Sequence, residues 1–417
     1  MNESQGVIND ADPSAITIEE ARLRIYRSLT TCKEHEIIDS LGALGRIISA
    51  DVVSAVNVPS FRASAMDGYA VRTSECTSAL TIIGQSLAGH PGENHMPERS
   101  AQRITTGARV PDDADAVVQQ ENVTIEGKSI VIEKLPEAGL HIRNPGSDSI
   151  CGSTILRVGD RIGAAEKALL AAHGIMQVNV LRKLRVAVFS TGDELVEPGS
   201  AIKSGQIYDA NRTLLLSMLD DASVELMDLG IAADTESDVQ RVIDASENAD
   251  LVISSGGVSV GDADYVKSVL ESNGTMDIWK IAMKPGRPLT FGFLSSSRAF
   301  FGLPGNPVSA AITCLMFVKP AIDYLCGMKI TSLPAIELPL AGTLTKNPGR
   351  VEYQRALISQ DNCGAWTVTT TGMQDSHVLT SLHRANCLIE LPLTSTGAAE
   401  GDYVRVFPFT HFARSPL

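Results

Sequence analysis

The sequence predicts a multidomain α/β protein with a central α/β domain, additional β-rich domains and an elongated helical and extended segment. Between residues 181 and 327, strand and helix patterns alternate, which is typical of a mostly parallel sheet with helices on both faces. Residues 61–148 and 331–417 carry short β-type runs separated by turn residues. A length of 417 residues allows two to four domains.

The composition argues against several classes of protein. A net charge of −14 argues against a nucleic-acid partner, because such proteins usually present a basic face. No apolar run approaches the roughly 20 residues that span a bilayer, so we expect no membrane partner. The polar N-terminus lacks the features of a signal peptide. The seven cysteines are dispersed without CxxC spacing, which favours a cytoplasmic location and no zinc site.

The domain boundaries follow from shifts in composition and pattern. We expect the two helices of the linker segment, at roughly 17–30 and 163–173, to pack together although β-rich sequence separates them. The predicted segments are a disordered N-terminus at 1–15, an elongated linker or dimer domain at 16–51 plus 149–180, a β-rich inserted domain at 52–148, an α/β domain at 181–327 and a C-terminal β domain at 328–417.

The α/β region has strand and helix patterns in alternation. The predicted strands are Leu184–Ser190, Val224–Gly230, Asp250–Ser254 and Ile278–Met283, and the predicted helices lie near 211–222, 235–247, 263–273 and 307–326. Ligands of such sheets bind at the carboxyl ends of the strands. Glycine-rich and acidic segments fall at these ends, so we expect the functional site there.

The segment Ser254–Asp264 is the most informative of these ends. Its adjacent glycines, Gly256 and Gly257, allow backbone N–H groups to approach a ligand, and the helix that follows favours an anion. The segment therefore predicts a site for a phosphorylated ligand. It matches neither the Walker A sequence nor GxGxxG. The alternative is a strand-end turn with an aspartate helix cap.

Three further motifs surround this segment in sequence. Ser190–Glu194 carries two carboxylates that could hold Mg²⁺ beside phosphates, or serve only as a turn. Lys280–Pro288 carries three cations that could bind an oxyanion, or form a charged hairpin face. Gly302–Pro307 could shape a pocket, or only begin a helix.

Together the motifs resemble the molybdopterin molybdenumtransferase family, called MoeA in bacteria and the E domain of gephyrin in animals. The resemblance extends from about residue 16 to residue 412. Its marks in this sequence are SAMDGYAV, TTGA, STGDEL, GQIYDANR, SSGGVSVGDADY, KPGRP and GLPGNPVSA.

The resemblance implies a fold, a reaction and partners. The central domain would be MogA-like, in an elongated four-domain homodimer whose α/β domain faces the β-rich domain of the partner subunit. The implied reaction inserts molybdate into adenylylated molybdopterin, needs Mg²⁺, and yields molybdenum cofactor and AMP. Further implied partners are the molybdopterin adenylyltransferase and the molybdoenzymes that accept the product.

The resemblance also implies roles for individual residues. Residues implied in catalysis are Asp67, Thr106, Glu194, Asp234 and Asp264, of which Glu194 and Asp264 would hold Mg²⁺. Residues implied in substrate binding are Ser254, Gly256, Gly257, Ser259, Lys280, Pro304, Asn306 and Pro307. Residues implied in molybdate binding are Lys284, Arg287, Arg350 and Ser376.

The sequence departs from the family pattern at two places. Arg143–Asp148 keeps its end residues but changes the middle of a run that is more charged in many relatives, and Arg287 stands where lysine is frequent. Two other functions stay open. A molybdopterin adenylyltransferase would resemble residues 181–327 alone, which the additional β domains disfavour. A non-enzymatic, gephyrin-like scaffold is disfavoured by the retained charged residues.

Overall fold

The computed structural model describes residues 10–257, 265–294, 297–328 and 333–409. The chain divides into two compact units. One comprises Ile37–Leu44 and Ile48–Val180, and we call it the β-rich unit. The other comprises Met1–Glu36, Gly45–Ile47 and Leu181–Leu417, and we call it the α/β unit.

The elements up to residue 181 are short. In chain order they are α1 (Ile18–Ser28), β1 (His35–Asp39), β2 (Val52–Val53), β3 (Ala63–Ser64), β4 (Gly68–Val71), β5 (Leu80–Ser86), β6 (Ser100–Ile104), β7 (Ala116–Gln119), β8 (Val123–Glu126), β9 (Ser129–Ile132), β10 (Ile142–Arg143), β11 (Thr154–Leu156), α2 (Ala164–Ala172) and β12 (Gln177–Leu181).

The main sheet of the β-rich unit has the strand order β7-β4-β6-β5-β9-β8. Its pairings are antiparallel except for β5 with β6. Alternate residues of β4 lie in different cores, Tyr69 and Val71 in one and Ala70 in the other. Strand geometry explains this division, because successive side chains point to opposite faces of a sheet. A third core in the unit includes Leu170 of α2.

The elements of the α/β region come next in the chain. They are β13 (Leu184–Thr191), β14 (Leu195–Val196), β15 (Ile207–Tyr208), α3 (Ala210–Leu219), β16 (Val224–Ala232), α4 (Glu236–Ala245), β17 (Leu251–Ser255), α5 (Tyr265–Asn273), β18 (Gly274–Lys280), β19 (Met283–Lys284), β20 (Pro288–Leu294), β21 (Arg298–Leu303), α6 (Pro307–Thr313) and α7 (Lys319–Leu325).

The central sheet is mostly parallel, as the sequence predicts. Its order is β16-β13-β17-β21-β20-β18, with parallel pairing from β16 to β21 and antiparallel pairing at β20 and β18. The predicted strand at 278–283 corresponds to β18, which ends at residue 280. The sequence analysis did not predict β20 and β21, whose apolar runs are interrupted by glycine and are too short to distinguish from other buried segments.

Helix α1 packs in the α/β unit. Its buried residues Ile18, Ala21 and Ile25 share a core with Phe317, and Tyr26 stacks against Tyr324 at 5.4 Å between ring centroids. Its apolar stripe is covered by residues around α7, whereas Leu170 of the second helix lies in a core of the β-rich unit. Thr17 caps the helix by accepting a hydrogen bond from the backbone N–H of Glu20.

Residues 307–325 form a nearly continuous helix, in which a π-helical turn at Cys314–Val318 joins α6 to α7. This stretch is long enough and apolar enough to cross a membrane, but 72% of it is buried inside the protein. The burial indicates a core helix, because helices that are apolar all round also occur in the cores of large proteins.

The last elements form a sheet around the longest described strand. They are β22 (Ile336–Pro339), β23 (Leu344–Thr345), β24 (Val351–Gln360), β25 (Trp366–Thr370), α8 (Leu379–Arg384), β26 (Cys387–Leu391), β27 (Gly397–Ala398) and β28 (Tyr403–Pro408). The sheet order is β19-β24-β26-β28-β22, with β25 on β24. Strand β19 thus joins the cationic segment of the α/β region to this terminal sheet.

Residues 10–15 were expected to belong to a disordered start, and the structure corrects this expectation. The N–H of Asp10 donates to the carbonyl of Pro348 at 2.9 Å, and the N–H of Ile16 donates to the carbonyl of Lys280 at 2.9 Å. Polar composition alone does not reveal these bonds, because their partners lie more than 250 residues further along the chain. Residues 1–9 lie outside the described residues.

Candidate functional site

A cavity of about 830 Å³ lies in the α/β unit where the carboxyl ends of the parallel strands meet the terminal sheet. Its position agrees with the rule that ligands bind at this edge of an α/β sheet. The cavity is lined by Thr191, Gly192, Glu194, Ile207, Asp234, Gly256, Gly257, Lys284, Pro285, Gly286, Arg287, Pro288, Pro304, Gly305, Asn306, Ser309, Arg350, Gln374, Asp375 and Ser376.

The backbone at Gly256 explains why glycine follows β17. Its φ is +90°, and a Cβ added there would lie 2.5 Å from the carbonyl oxygen of Thr191. A larger residue would therefore meet both backbone strain and a steric clash. The N–H of Gly256 donates to the carbonyl of Leu303 at 3.1 Å, so the ends of β13, β17 and β21 are close together.

Asn211 of α3 connects two loops of the cavity. Its Nδ2 donates to the hydroxyl of Ser255 at 2.9 Å and to the carbonyl of Gly305 at 2.7 Å. The sequence analysis quoted this residue within GQIYDANR but gave it no role. The same motif supplies Asp209, whose carboxylate caps α3, and Arg212, which pairs with Asp209, Asp228 and Glu197.

Two carboxylates line the acidic side of the cavity. Glu194 follows β13 and is exposed. Asp234 follows β16, and its Oδ1 accepts a hydrogen bond of 2.5 Å from the hydroxyl of Thr191. The N–H of Asp234 donates to the carboxylate of Asp193 at 3.0 Å. These contacts fix the backbone and the side chain of Asp234. The Glu194 carboxylate also lines the cavity, and it makes no side-chain hydrogen bond to another described residue.

The donor set suits Mg²⁺ better than a transition metal. Magnesium keeps several waters and is held by one or two carboxylates together with phosphate oxygens. Glu194 and Asp234 supply oxygen ligands of this kind. Within the described ranges, no group of three or more His, Cys, Asp or Glu side chains could enclose a metal. The other ligand that the resemblance implies, Asp264, lies outside the described residues.

Three cations line the opposite side of the cavity, and each has a carboxylate partner. Lys284 Nζ lies 3.5 Å from the Glu352 carboxylate. Arg350 Nη2 lies 2.5 Å from the carboxylate of Asp10. Arg287 pairs with Asp12. The clustering of three cations favours an anionic ligand, because guanidinium and ammonium groups make strong hydrogen bonds to oxyanions.

Residues 373–376 form the wall next to these cations, and a buried arginine supports them. Arg355 is 1% exposed. Its guanidinium donates to the hydroxyl of Ser381 at 3.0 Å and to the carbonyl of Asp375 at 3.1 Å. Gln374 Oε1 accepts from the N–H of Arg355 at 2.8 Å. Burial lowers the pKa of Arg355 to about 10, which still leaves it charged at neutral pH.

Several residues that the resemblance implies are not part of the cavity lining. The hydroxyl of Ser254 is fully buried without a hydrogen-bond partner among the described residues. Lys280 pairs with Asp12 at 3.3 Å. Pro307 occupies the first position of α6, where its fixed backbone angle suits a helix start. Ser259, like Asp264, lies outside the described residues.

Asp67 and Thr106 belong to the β-rich unit, where the structure brings them together. The Asp67 carboxylate accepts hydrogen bonds from the N–H of Thr106 at 2.7 Å and from its hydroxyl at 2.9 Å. These two bonds lower the pKa of Asp67, because they stabilise its charged form. Both residues are exposed, so the pair holds a negatively charged carboxylate at a defined position on the surface of the unit.

The sequence analysis missed the acidic partners of the cations. Asp10 and Asp12 precede the first helix, and Glu352 alternates with apolar residues in β24. No local spacing relates these carboxylates to their cationic partners Lys284, Arg287 and Arg350, because each partner lies far away in the chain. Thr191 and Ser309 were also missed, although both lie in motifs quoted for the resemblance or next to them.

Comparison with known proteins agrees with this arrangement. Three family models match the chain: the MoeA N-terminal region (domain I and II) at residues 16–174, the probable molybdopterin binding domain at 187–324, and the MoeA C-terminal region (domain IV) at 337–409. A molybdopterin molybdenumtransferase of Haemophilus influenzae is 41% identical over 401 residues, which cover 95% of this chain and 99% of that relative. The chain belongs to the molybdopterin molybdenumtransferase (MoeA) family.

Other relatives extend the comparison of this MoeA family member. Gephyrin of Dictyostelium discoideum is 35% identical over 425 residues, covering 89% of this chain and 59% of gephyrin. A crystal structure of the molybdopterin biosynthesis MoeA protein of Pyrococcus horikoshii has a TM-score of 0.76 at 31% identity, covering 94% of this chain and 99% of that one. A second structure under the same description has a TM-score of 0.81 at 26% identity, covering 95% and 100%.

Proposed function

We propose that this chain is a molybdopterin molybdenumtransferase that inserts molybdate into adenylylated molybdopterin and releases molybdenum cofactor and AMP. The observation that carries the proposal is one cavity with strand-end glycines and carboxylates on one side and three cations on the other. Such a cavity offers sites for a phosphorylated ligand and for a second, smaller anion at the same time. The Haemophilus influenzae relative carries the name molybdopterin molybdenumtransferase.

The cationic side suits molybdate, a tetrahedral dianion. Lys284, Arg287 and Arg350 supply N–H donors, and Ser376 supplies a hydroxyl. A charged hydrogen bond contributes about 1.5–3 kcal/mol, so two of them would contribute roughly 3–6 kcal/mol to binding before solvation costs. The role of these residues is to bind and orient the oxyanion beside the second substrate.

The glycine side suits the pyrophosphate of adenylylated molybdopterin. Gly256 and Gly257 leave their backbone accessible, and Pro304, Gly305 and Asn306 form the neighbouring wall. Backbone N–H groups without a Cβ beside them can approach phosphate oxygens closely. These residues bind and orient the diphosphate so that its P–O bond faces the carboxylate side of the cavity.

The acidic side suits Mg²⁺. Glu194 and Asp234 would hold the ion beside the phosphates, with Asp264 as the further ligand that the resemblance implies. When bound, the ion offsets the charge that develops as the P–O bond breaks. Thr191 keeps the Asp234 side chain in place through its hydrogen bond, so this carboxylate is oriented before the substrate arrives.

The cavity also separates this function from the adenylyltransferase alternative. Arg350 and Ser376 come from the part of the chain beyond residue 327. An isolated α/β domain would therefore lack one of the three cations, Lys284, Arg287 and Arg350, that form the cationic wall, together with the serine beside them. No specific observation favours the non-enzymatic scaffold.

The proposed function includes a homodimer and a cytoplasmic location, which both remain predictions from the resemblance and from the cysteine pattern. All seven cysteines are unpaired in the described structure, which fits a reducing compartment. Light scattering on the purified chain tests the dimer.

An assay of AMP release tests the reaction directly. Purified full-length protein is mixed with adenylylated molybdopterin and Mg²⁺, with and without molybdate. We expect AMP release that depends on molybdate. In a second reaction with ATP and molybdopterin, AMP transfer without any requirement for molybdate would instead support the adenylyltransferase.

A further inference from the structure

The N-terminal segment places two carboxylates on the cations of the cavity. Residues 10–15, which we call the acidic strap, run past the cationic wall. The Asp10 carboxylate lies 2.5 Å from Arg350 Nη2, and the Asp12 carboxylate pairs with Arg287. Two of the three cavity cations are therefore neutralised by one short stretch of chain.

The strap is held in position by its own backbone. The N–H of Asp10 donates to the carbonyl of Pro348, and the N–H of Ile16 donates to the carbonyl of Lys280, each at 2.9 Å. The N–H and hydroxyl of Ser14 both donate to the Asp12 carboxylate, at 2.9 and 2.7 Å. These contacts anchor the strap at both ends and orient the Asp12 carboxylate.

Gly349 makes room for the strap. Its φ is +107°, and a Cβ added there would lie 2.2 Å from the backbone nitrogen of Ala11. Any other residue would collide with the strap backbone. The strap can therefore pass close to the loop before Arg350 only because residue 349 is glycine.

Both carboxylates are charged at neutral pH. The hydrogen bond from Arg350 lowers the pKa of Asp10, with further lowering by Lys284 and Arg287. Hydrogen bonds from Ser14 lower the pKa of Asp12. An incoming oxyanion that takes the same guanidinium groups must therefore displace two ionised competitors.

We propose that Asp10 and Asp12 act as resident anions that pair with two cations of the cavity, and that an incoming dianion must displace them to bind. The proposal rests on the proposed function, because it takes the cationic wall as the molybdate site. The third cation has a different partner. Glu352 lies within β24 and cannot leave with the strap, so Lys284 keeps its carboxylate throughout.

Displacement lowers the apparent affinity for the oxyanion. A site that is free for only a fraction of the time binds with an apparent Kd equal to the intrinsic Kd divided by that fraction. Removing the strap charges should therefore tighten binding. A dianion can replace both carboxylates, whereas a monoanion such as nitrate leaves one guanidinium without its partner.

Calorimetry with molybdate alone tests the proposal. The full-length wild type is compared with Asp10→Asn/Asp12→Asn and with the matched control Glu93→Gln/Glu126→Gln, which removes two exposed charges from the β-rich unit. We expect the strap variant to bind molybdate about tenfold tighter or more, and the control to bind as the wild type does. Unchanged or weaker molybdate binding in the strap variant would overturn the proposal.

A second measurement keeps the test independent of side-chain substitution. Hydrogen exchange of the wild-type peptide that contains residues 10–16 is followed with and without saturating molybdate. We expect exchange to increase when molybdate binds, because the strap is displaced. Unchanged protection with molybdate bound would contradict displacement.

The outcomes also separate the strap from the proposed function. If the wild type binds molybdate and Lys284→Ala loses this binding, but the strap variant gains nothing, only the strap proposal fails. If Lys284→Ala alters binding in neither background, the cationic wall is not the molybdate site, and both proposals fail.

Discussion

Lys284 and Glu352 lie side by side because β19 pairs in parallel with β24 at these residues. Their charged groups are 3.5 Å apart, and the lysine side chain is 49% exposed whereas that of the glutamate is 8% exposed. The buried carboxylate holds one side of the ammonium group, and the remaining N–H donors face the cavity. A long-range strand pairing thus positions a cation that local sequence would leave mobile.

Lys284→Ala should weaken molybdate binding. Loss of one charged hydrogen bond costs about 1.5–3 kcal/mol, which corresponds to an about 10- to 150-fold higher Kd. Calorimetry with molybdate measures it. Lys128→Ala, an exposed lysine of the β-rich unit, serves as the control and should leave the Kd unchanged. Equal affinity in both variants would remove Lys284 from the site.

Glu194→Gln should reduce molybdate-dependent AMP release and raise the Mg²⁺ concentration for half-maximal activity. An amide keeps the size of the side chain but loses the charge that a hard cation prefers. Titration of Mg²⁺ in the AMP assay measures the shift. Glu236→Gln in α4 is the control. We expect the same loss for Asp264→Asn, and wild-type turnover in either variant would count against the metal site.

Arg355→Met should loosen the wall formed by residues 373–376. The variant removes a buried charge together with its bonds to Ser381 and Asp375, leaving those acceptors unsatisfied at a cost of about 1–3 kcal/mol each. Arg355 acts as a positioning residue. We therefore expect the KM for molybdate to rise by about tenfold, with a smaller change for adenylylated molybdopterin.

Arg355→Lys is the conservative variant for this test. It retains the positive charge and one donor nitrogen, so it should recover part of the molybdate affinity. A merely structural role predicts a different result, in which both substrates lose affinity equally and the melting temperature falls in parallel.

Thr106→Val should raise the pKa of Asp67, because it removes the hydroxyl donor and keeps the backbone N–H. The lowered pKa adds stability that is present above the unfolded-state pKa and is lost as the pH falls through the folded-state pKa. In the variant this contribution should be smaller, and its loss should be complete at a higher pH. The carboxyl chemical shift of ¹³C-labelled Asp67 measures the titration. Thr106→Ser retains the hydroxyl and should titrate as the wild type does.

The alternating pattern of the α/β region was sufficient to predict its parallel strands and helices. The prediction failed at β20 and β21, because two apolar runs of similar length carry no signal for their antiparallel pairing. The apolar stripe of α1 shows that one face of the helix is buried, but not which residues cover it.

The candidate site was predictable where its residues follow strand ends. Glu194, Asp234 and Gly256 all lie there, and the parallel sheet brings such ends together. The ion pairs were not predictable, since Asp10 and Arg350 are separated by 340 positions in the chain. Only the resemblance pointed to Arg350 and Ser376, which have ordinary surface composition by themselves.

Anomalous diffraction at the molybdenum edge tests the central claim most directly. Crystals of the full-length protein are soaked with molybdate and Mg²⁺, and the molybdenum position is read from the anomalous map. The account predicts a peak in the cavity, at a molybdate whose oxygens lie within hydrogen-bond distance of Lys284, Arg287 or Arg350, beside Ser376. A molybdenum atom bound elsewhere, with this cavity free of anomalous signal, would contradict it.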